Sequence, residues 1–377
     1  MLKNCALYIH IPFCDHKCIY CDFYSIITSD NVQSFLTALK KEIEYFSKLY
    51  SNDRIFTSIF FGGGTPSLME PEYLEEILHH LNKYFTIDAE AEITMETNPG
   101  TVDKAKLKQF KETGINRISI GIQSFDEDEL KFLTRIHDKQ TAIQTVNNAA
   151  EVGFENISVD LIFNLPNQTK EKWINNLKTA IQLPINHIST YSLILERGTI
   201  LNKLVLDKKV IMQDDDYDAD LYETTIDFLI SKGFYQYEVS NFTKPGYECV
   251  HNNAYWRYRD YLSFGTSAHS FMDGKRWWNY SSLKKYISEV EINNHAIKNY
   301  EVISKDQMHD EYVMLALRSS GLDLGDYRKR FYDDWIKKNY SYFELLKNEQ
   351  HLLIENNWIK LTSKGYAVCD EILKNIL

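Results

Sequence analysis

The stretch His10-Ile11-Pro12-Phe13-Cys14-Asp15-His16-Lys17-Cys18-Ile19-Tyr20-Cys21-Asp22-Phe23 carries three of the chain's six cysteines, at C-x3-C-x2-C spacing. It follows an apolar run, residues 5–9, that reads as a strand, so the cysteines fall on a short loop at a strand end. Three thiolates this close cannot complete a four-ligand structural zinc site, and Cys5, Cys249 and Cys369 have no paired spacing to supply the fourth. An iron–sulfur cluster fits better. Thiolates are its natural ligands, and a four-iron cube held by three of them leaves one iron open. A partial zinc site and three structural cysteines are the plainer alternatives. Tyr20 and Phe23 beside the thiolates would shield a cluster from water.

The spacing resembles the signature of the radical S-adenosylmethionine (radical SAM) superfamily. That resemblance implies a [4Fe-4S] cluster whose open iron holds the amino and carboxylate groups of S-adenosylmethionine. It also implies an electron donor, since an electron from the cluster splits the sulfonium to a 5'-deoxyadenosyl radical.

At 377 residues the chain has room for one large domain and a smaller appended one. Apolar residues make up 44%, which supports a sizeable core. No run of about 18 apolar residues occurs, and no basic segment followed by an apolar stretch opens the chain. A cytoplasmic protein is therefore expected, in agreement with clustered reduced cysteines. Lys and Arg number 42 against 53 Asp and Glu, a formal net charge of −11, with no basic block. A nucleic-acid partner needs a positive track along its phosphates, so none is expected, and anionic lipid surfaces are not favoured either.

Downstream of the cysteines, Asp30 is placed to cap a helix whose apolar residues Val32, Phe35, Leu36, Leu39, Ile43 and Phe46 recur at three- and four-residue steps. Strands are then expected at 55–61, 91–97, 117–121, 156–163 and 187–193, separated by helices near 71–84, 102–113, 126–133, 141–152 and 169–183. Six strands alternating with helices argue for a parallel sheet, because parallel neighbours need a crossover connection. The superfamily resemblance selects an α/β fold built as a partial (β/α)6 TIM-like barrel over a flat doubly wound sheet. In either arrangement ligands gather at the C-terminal ends of the strands. Past residue 193 an acid-rich helix, 214–231, and a strand, 234–239, lead into an aromatic stretch, 241–280, that reads as irregular. A helix at 305–318 opens a C-terminal part ending in a strand-like turn, 358–362, and a last helix, which looks winged-helix-like.

Gly62-Gly63-Gly64-Thr65 directly after a strand lets backbone groups approach a ligand closely. By itself this is a plain loop; some forty residues after the cysteines, it matches the superfamily's glycine motif, which touches the methionine amino group. Glu96, Gln123, Arg135 and Asp160 sit near strand ends, where polar groups can bond a ribose, an adenine or a carboxylate. A residue of this kind, taken singly, is more often a capping or salt-bridge residue. Asp160 stands out, because a carboxylate between Val159 and Leu161 in a buried strand needs a partner.

Read end to end, the sequence resembles the HemN-like family, in which oxygen-independent coproporphyrinogen III dehydrogenases stand beside a sister branch of haem chaperones. The likeness runs through Tyr8-x-His10-x-Pro12-Phe13-Cys14, the 62–66 loop, Ser119-x-Gly121-x-Gln123-Ser124, Asp160-Leu161-Ile162-x-x-Leu165-Pro166 and Glu311-Tyr312-x-Met314-Leu315-x-Leu317-Arg318. It implies that Cys14, Cys18 and Cys21 ligate the cluster and that Tyr8, Gly63 and Glu96 contact its S-adenosylmethionine. Tyr20, Gly64, Thr65, Gln123, Arg135 and Asp160 match contacts to a second S-adenosylmethionine in the dehydrogenase, and whether a second one binds here stays open.

Two departures separate the branches. The dehydrogenase pattern continues to a fourth cysteine, and Phe23 stands at that position. His251-Asn252-Asn253-Ala254-Tyr255-Trp256 matches the H-N-x-x-Y-W element that the resemblance links to haem binding in the chaperones. An imidazole can ligate haem iron, and Tyr255 and Trp256 offer flat apolar surface to the macrocycle; the plain alternative is a histidine bonded within an aromatic core. His10 and His269 are further candidates. The resulting expectation is a haem chaperone that binds haem and hands it to an acceptor haem protein, with a respiratory one at the membrane among the candidates and a homodimer left open. Reductive cleavage of S-adenosylmethionine is a capability the superfamily implies. The dehydrogenase and a metal-stabilised binding module without radical chemistry are the rivals. The expected division is 1–235, radical SAM core; 236–300, a connecting region with the haem motif; and 301–377, a smaller C-terminal α+β domain.

Overall fold

Side chains alternate across a strand, and here the alternation separates an apolar face from a polar one. The computed structural model describes residues 2–28, 30–332 and 334–377. Its first half runs β1 (Lys3–Ile11), α1 (Val32–Tyr50), β2 (Arg54–Gly63), α2 (Pro71–Tyr84), β3 (Ile87–Thr97), α3 (Lys104–Glu112), β4 (Arg117–Gln123), α4 (Glu127–Phe132), α5 (Lys139–Glu151), β5 (Asn156–Phe163), α6 (Lys170–Ile181) and β6 (His187–Ser192). The six strands lie parallel in chain order, with pairs such as Ile9↔Phe61, Phe61↔Met95, Met95↔Ile118, Ile120↔Val159 and Val159↔Ile188. These apolar residues are fully buried in the main core with residues of the flanking helices.

The opposite face carries Ser58, Thr94, Arg117, Ser119, Ser158, His187 and Ser189, all buried. Parallel strands covered on both faces ordinarily read as apolar throughout. Here the inner face lines cavities, so its polar groups meet one another and the space a ligand would fill.

The chain continues with α7 (Ile200–Leu206), α8 (Asp215–Ser231), β7 (Tyr235–Glu238), β8 (Asn241–Thr243), α9 (Val250–Trp256), β9 (Tyr261–Gly265), β10 (His269–Met272), β11 (Lys275–Asn279), α10 (Leu283–Asn293) and β12 (Ile297–Val302). The 241–280 stretch is therefore regular, contrary to the sequence expectation. Its strands, with β7 before it and β12 after it, join the same twelve-stranded sheet: β9 pairs parallel with β1 (Tyr8↔Ser263), β10 to β12 extend that side, and β8 and β7 extend the sheet beyond β6. Strands of three to five residues are too short to show a period in sequence. Glu42, fully buried in α1, ties this extension to the barrel. It accepts from the Gly265 N–H (3.0 Å), Asn279 Nδ2 (2.7 Å) and the Tyr286 hydroxyl (2.7 Å).

A second core belongs to α11 (Lys305–Leu317), β13 (Leu322–Asp323), α12 (Leu324–Arg330), α13 (Asp334–Asn348), β14 (Leu352–Glu355), β15 (Trp358–Leu361), α14 (Ser363–Ala367) and α15 (Cys369–Ile376). Its small sheet runs β13-β15-β14, and α11 starts at a capping box between Ser304 and Gln307. The side-chain cap expected from Asp30 at the start of α1 is not formed. The residue preceding α1 is Asn31, with no side-chain cap bond, while the Asp30 backbone N–H donates to Thr28 Oγ1 in the turn before it.

Candidate functional site

The cysteine loop is clamped to the sheet by backbone bonds: Cys14 N–H to Ile26 O, Ile26 N–H to Pro12 O, Gly64 N–H to Ile11 O and Thr65 N–H to Phe13 O, all 2.7–2.9 Å. On its far side Ile19 N–H donates to Thr134 Oγ1 and Leu201 N–H to Ile19 O. The loop thus closes over the C-terminal ends of β1, β2 and β4. Cys14, Cys18 and Cys21 line one cavity of about 430 Å³ together with Tyr8, Tyr20, Gly63, Gly64, Thr65, Glu96, Gln123, Arg135 and Asp160. Every residue expected at the cluster and the S-adenosylmethionine is brought to this cavity.

The glycines are needed for close approach. Gly63 has φ +105°, and a Cβ there would lie 2.5 Å from the His10 ring; a Cβ on Gly64 would lie 2.6 Å from Phe13 O and 2.8 Å from Ile11 O. The His10 ring is fixed by donation from Nε2 to Tyr24 O (3.0 Å) and by the Tyr8 hydroxyl at Nδ1 (3.2 Å), and burial lowers its pKa to about 4. Beside the loop, the Gly63 N–H donates to Glu96 Oε2 (3.2 Å). Burial, with Asp160 nearby, nevertheless pushes Glu96 up to about 8. Asp160 is raised by burial as well, and the Ser119 hydroxyl donates to it at 3.1 Å.

Arg135 organises the other wall. It donates to Cys18 Sγ (3.4 Å), Gly121 O (2.7 Å) and Asn98 Oδ1 (2.7 Å), while Asn98 Nδ2 donates to Thr65 Oγ1 (2.9 Å), which faces Cys14 Sγ at 3.5 Å. A chain of hydrogen bonds so links two of the three cysteines through Asn98. In the sequence Asn98 opens Asn98-Pro99-Gly100, which ends the strand expected at 91–97 and marks the residue as nothing more than part of a turn.

Three thiols on one loop, a glycine cradle that a Cβ would fill, and a guanidinium set against a thiol fit a cluster with its bound cofactor. Among the described residues, no three His, Cys, Asp or Glu side chains are grouped as ligands of a single metal ion; a cube instead takes each thiolate on a separate iron. Burial raises the Cys14 and Cys21 thiols, so binding iron would release their protons.

A second cavity of about 240 Å³ lies against the first and shares Tyr8, Phe23, Glu96, Ser119, Asp160 and Tyr191 with it. Here α9 enters the barrel. Both oxygens of Glu92 accept from its first turn, Oε1 from His251 N–H (3.1 Å) and Oε2 from Val250 N–H (3.2 Å). His251 is buried, its Nδ1 bonded to Ser58 Oγ (3.0 Å) and its Nε2 to Tyr255 Oη (2.9 Å), with the ring stacked on Phe60. Burial drops its pKa to about 3. Tyr255 lines the same chamber, and Trp256 is partly exposed at the helix end. The structure thus places His251 and Tyr255 in the barrel interior, with both His251 nitrogens engaged. His269 is exposed and stacks on Trp278 instead. Phe23 is 63% exposed and borders both cavities.

The parallel barrel and the cysteine loop over its C-terminal end define a radical SAM protein, and a model of the Radical SAM superfamily matches residues 8–180. Over its whole length the chain superposes on coproporphyrinogen III oxidase (HemN) from Escherichia coli, a radical SAM enzyme, with a TM-score of 0.84 over 90% of that chain and 23% identity, a likeness of fold. Heme chaperone HemW of Bacillus subtilis is 35% identical over 329 residues, 86% of each chain, and that of Lactococcus lactis is 32% identical over 377 residues, 100% of this chain and 98% of its own. The chain belongs to the HemW family of radical SAM proteins.

Proposed function

We propose that this chain is a haem chaperone that carries a [4Fe-4S] cluster on Cys14, Cys18 and Cys21, binds S-adenosylmethionine at the open iron, and passes haem to an acceptor haem protein. The observation that carries the reading is the likeness, over 86% and 100% of this chain, to two relatives named as heme chaperones. Phe23 supports it: where the dehydrogenase has a cysteine, this chain puts an exposed aromatic ring at the cavity rim.

When bound, the cluster supplies an electron to the sulfonium. The chain's own residues bind and orient. Tyr8, Gly63 and Glu96 would hold the cofactor beside the loop; Tyr20, Gly64, Thr65, Gln123, Arg135 and Asp160 border the remaining space, where a second molecule would contact them. Arg135 and Thr65 steady Cys18 and Cys14. Haem contact through α9 rests on Trp256 and Tyr255, and His251 ligates iron only after giving up its bond to Tyr255 or Ser58. The cluster's electron donor, a respiratory acceptor at the membrane, a homodimer and a cytoplasmic location complete the proposal. Among the described residues no helix is long and apolar enough to cross a membrane. The domain division proposed with it sets the second core, from about residue 301, apart as the smaller unit.

The test is a pair of anaerobic assays on the cluster-reconstituted protein. Saturable haem binding near one per chain, with no protoporphyrinogen formed from coproporphyrinogen III, is expected. Decarboxylating turnover would reverse the reading in favour of the dehydrogenase.

A further inference from the structure

The 240 Å³ chamber holds a positive charge that the cofactor contacts leave unused. Arg117, at the start of β4, is 2% exposed and lines this chamber. Its Nε has no hydrogen-bond partner, and its one salt-bridge oxygen among the described residues, Glu92 Oε2, is 3.7 Å away. That is beyond hydrogen bonding, and both Glu92 oxygens are committed to α9. A buried guanidinium short of acceptors is costly, and its fork suits a planar two-oxygen anion.

The rest of the chamber's polar lining is largely satisfied. His187 is bonded to Ser158 and Tyr237, and His251 to Ser58 and Tyr255. Asn252 differs, because only its backbone is bonded and its side-chain amide faces the chamber free. Two carboxyls face the same space. Glu96 keeps its proton at neutral pH, and the oxygens of Asp160 are taken up by the Ser119 and Ser189 hydroxyls. At the opening, Phe23 and Tyr191 border both cavities, and Ile194 on the upper rim is 67% exposed. An occupant would therefore meet apolar surface first and unspent donors at depth.

We propose that this chamber is a carboxylate subsite, in which Arg117 and Asn252 receive the carboxylate of a ligand whose apolar body rests on Phe23 and Tyr191. Two sources share that chemistry: a carboxylate arm of a tetrapyrrole, which rests on the haem reading above, and a free short-chain carboxylate, which does not.

The experiment uses the full, cluster-reconstituted chain and two probes. Propionate is titrated against the thermal midpoint of wild type, Arg117→Gln and Asn252→Leu; should Arg117→Gln fail to fold, Asn252→Leu carries the test, since it orphans no partner. Saturable stabilisation in wild type, weakened about tenfold or more in the variants, is expected. Haem and haem dimethyl ester are then compared by absorbance. Tighter binding of haem than of the ester, with the gap closed in Asn252→Leu, assigns the subsite to the tetrapyrrole arm. Equal binding of the two, with the propionate effect intact, assigns it to a free carboxylate. If neither tetrapyrrole binds, the haem reading fails and the propionate titration alone decides the subsite. No saturable propionate effect, together with equal binding of haem and ester, overturns the proposal.

Discussion

Glu96 should give cofactor binding a measurable proton signature. Burial, reinforced by Asp160, lifts its pKa to about 8 against the opposing pull of the Gly63 N–H. At pH 7 a carboxyl with that pKa is about nine-tenths protonated. S-adenosylmethionine brings a sulfonium, and a cation beside a carboxyl favours its ionised form; its amino group, neutral once it binds the open iron, sheds its own proton whether or not Glu96 is present. The free protein then holds a proton that the complex does not. Glu96 should therefore release about 0.9 proton at pH 7, beyond that of the amino group, and its share of the affinity should climb with pH by nearly tenfold per unit below 8 and level off above it. Isothermal titration of the reconstituted protein at pH 7, in two buffers of different ionisation enthalpy, counts the proton directly. Glu96→Gln should lower the release by about 0.9 proton and flatten that part of the pH profile. A proton count that Glu96→Gln does not lower, or a pH profile that it leaves unchanged, would exclude this role for Glu96.

Other outcomes follow from single contacts. Gly64→Ala drives a Cβ into two backbone carbonyls, so it should cost about 1–3 kcal/mol in urea unfolding and lower iron content after reconstitution. His251→Ala removes the partner of buried Ser58 and of Tyr255, and should destabilise by about 3 kcal/mol in the same assay. Glu42, fully buried, has its pKa raised by burial to about 7, so the native state keeps a proton that the unfolded chain has lost above its ordinary value of 4.5. Its contribution is present at low pH and fades as pH rises from 4.5 through 7. The stability of Glu42→Gln relative to wild type should accordingly improve by about 1.4 kcal/mol per pH unit between 5 and 7, and a difference independent of pH would exclude this linkage.

The alternating half of the fold was legible because its helices and strands are long enough to show their periods. α2 and β5 begin and end where the sequence pattern places them. The cavity was legible too, through cysteine spacing and the glycine loop, which are local signals. Long-range geometry was not. Ser58 and His251 are 193 residues apart, and nothing local announces that α9 turns inward to meet β2. Short β8 to β11 hid in an aromatic stretch for want of length. Arg117 left a faint mark, a lone charge beside the alternating run Ile118-Ser119-Ile120, but only the assembled barrel shows that it faces a chamber rather than solvent. Asn98 was obscured in the same way, since a turn residue and the link between two cysteine partners look alike in sequence.

The central claim is that haem is bound in order to be passed on. The most direct measurement mixes the haem-loaded, reconstituted protein with an apo b-type cytochrome under anaerobic conditions and follows the haem spectrum through the transfer. About one haem per chain should be delivered, faster than from haem held on albumin. Haem that stays on the chain, or that never binds saturably, would contradict the claim.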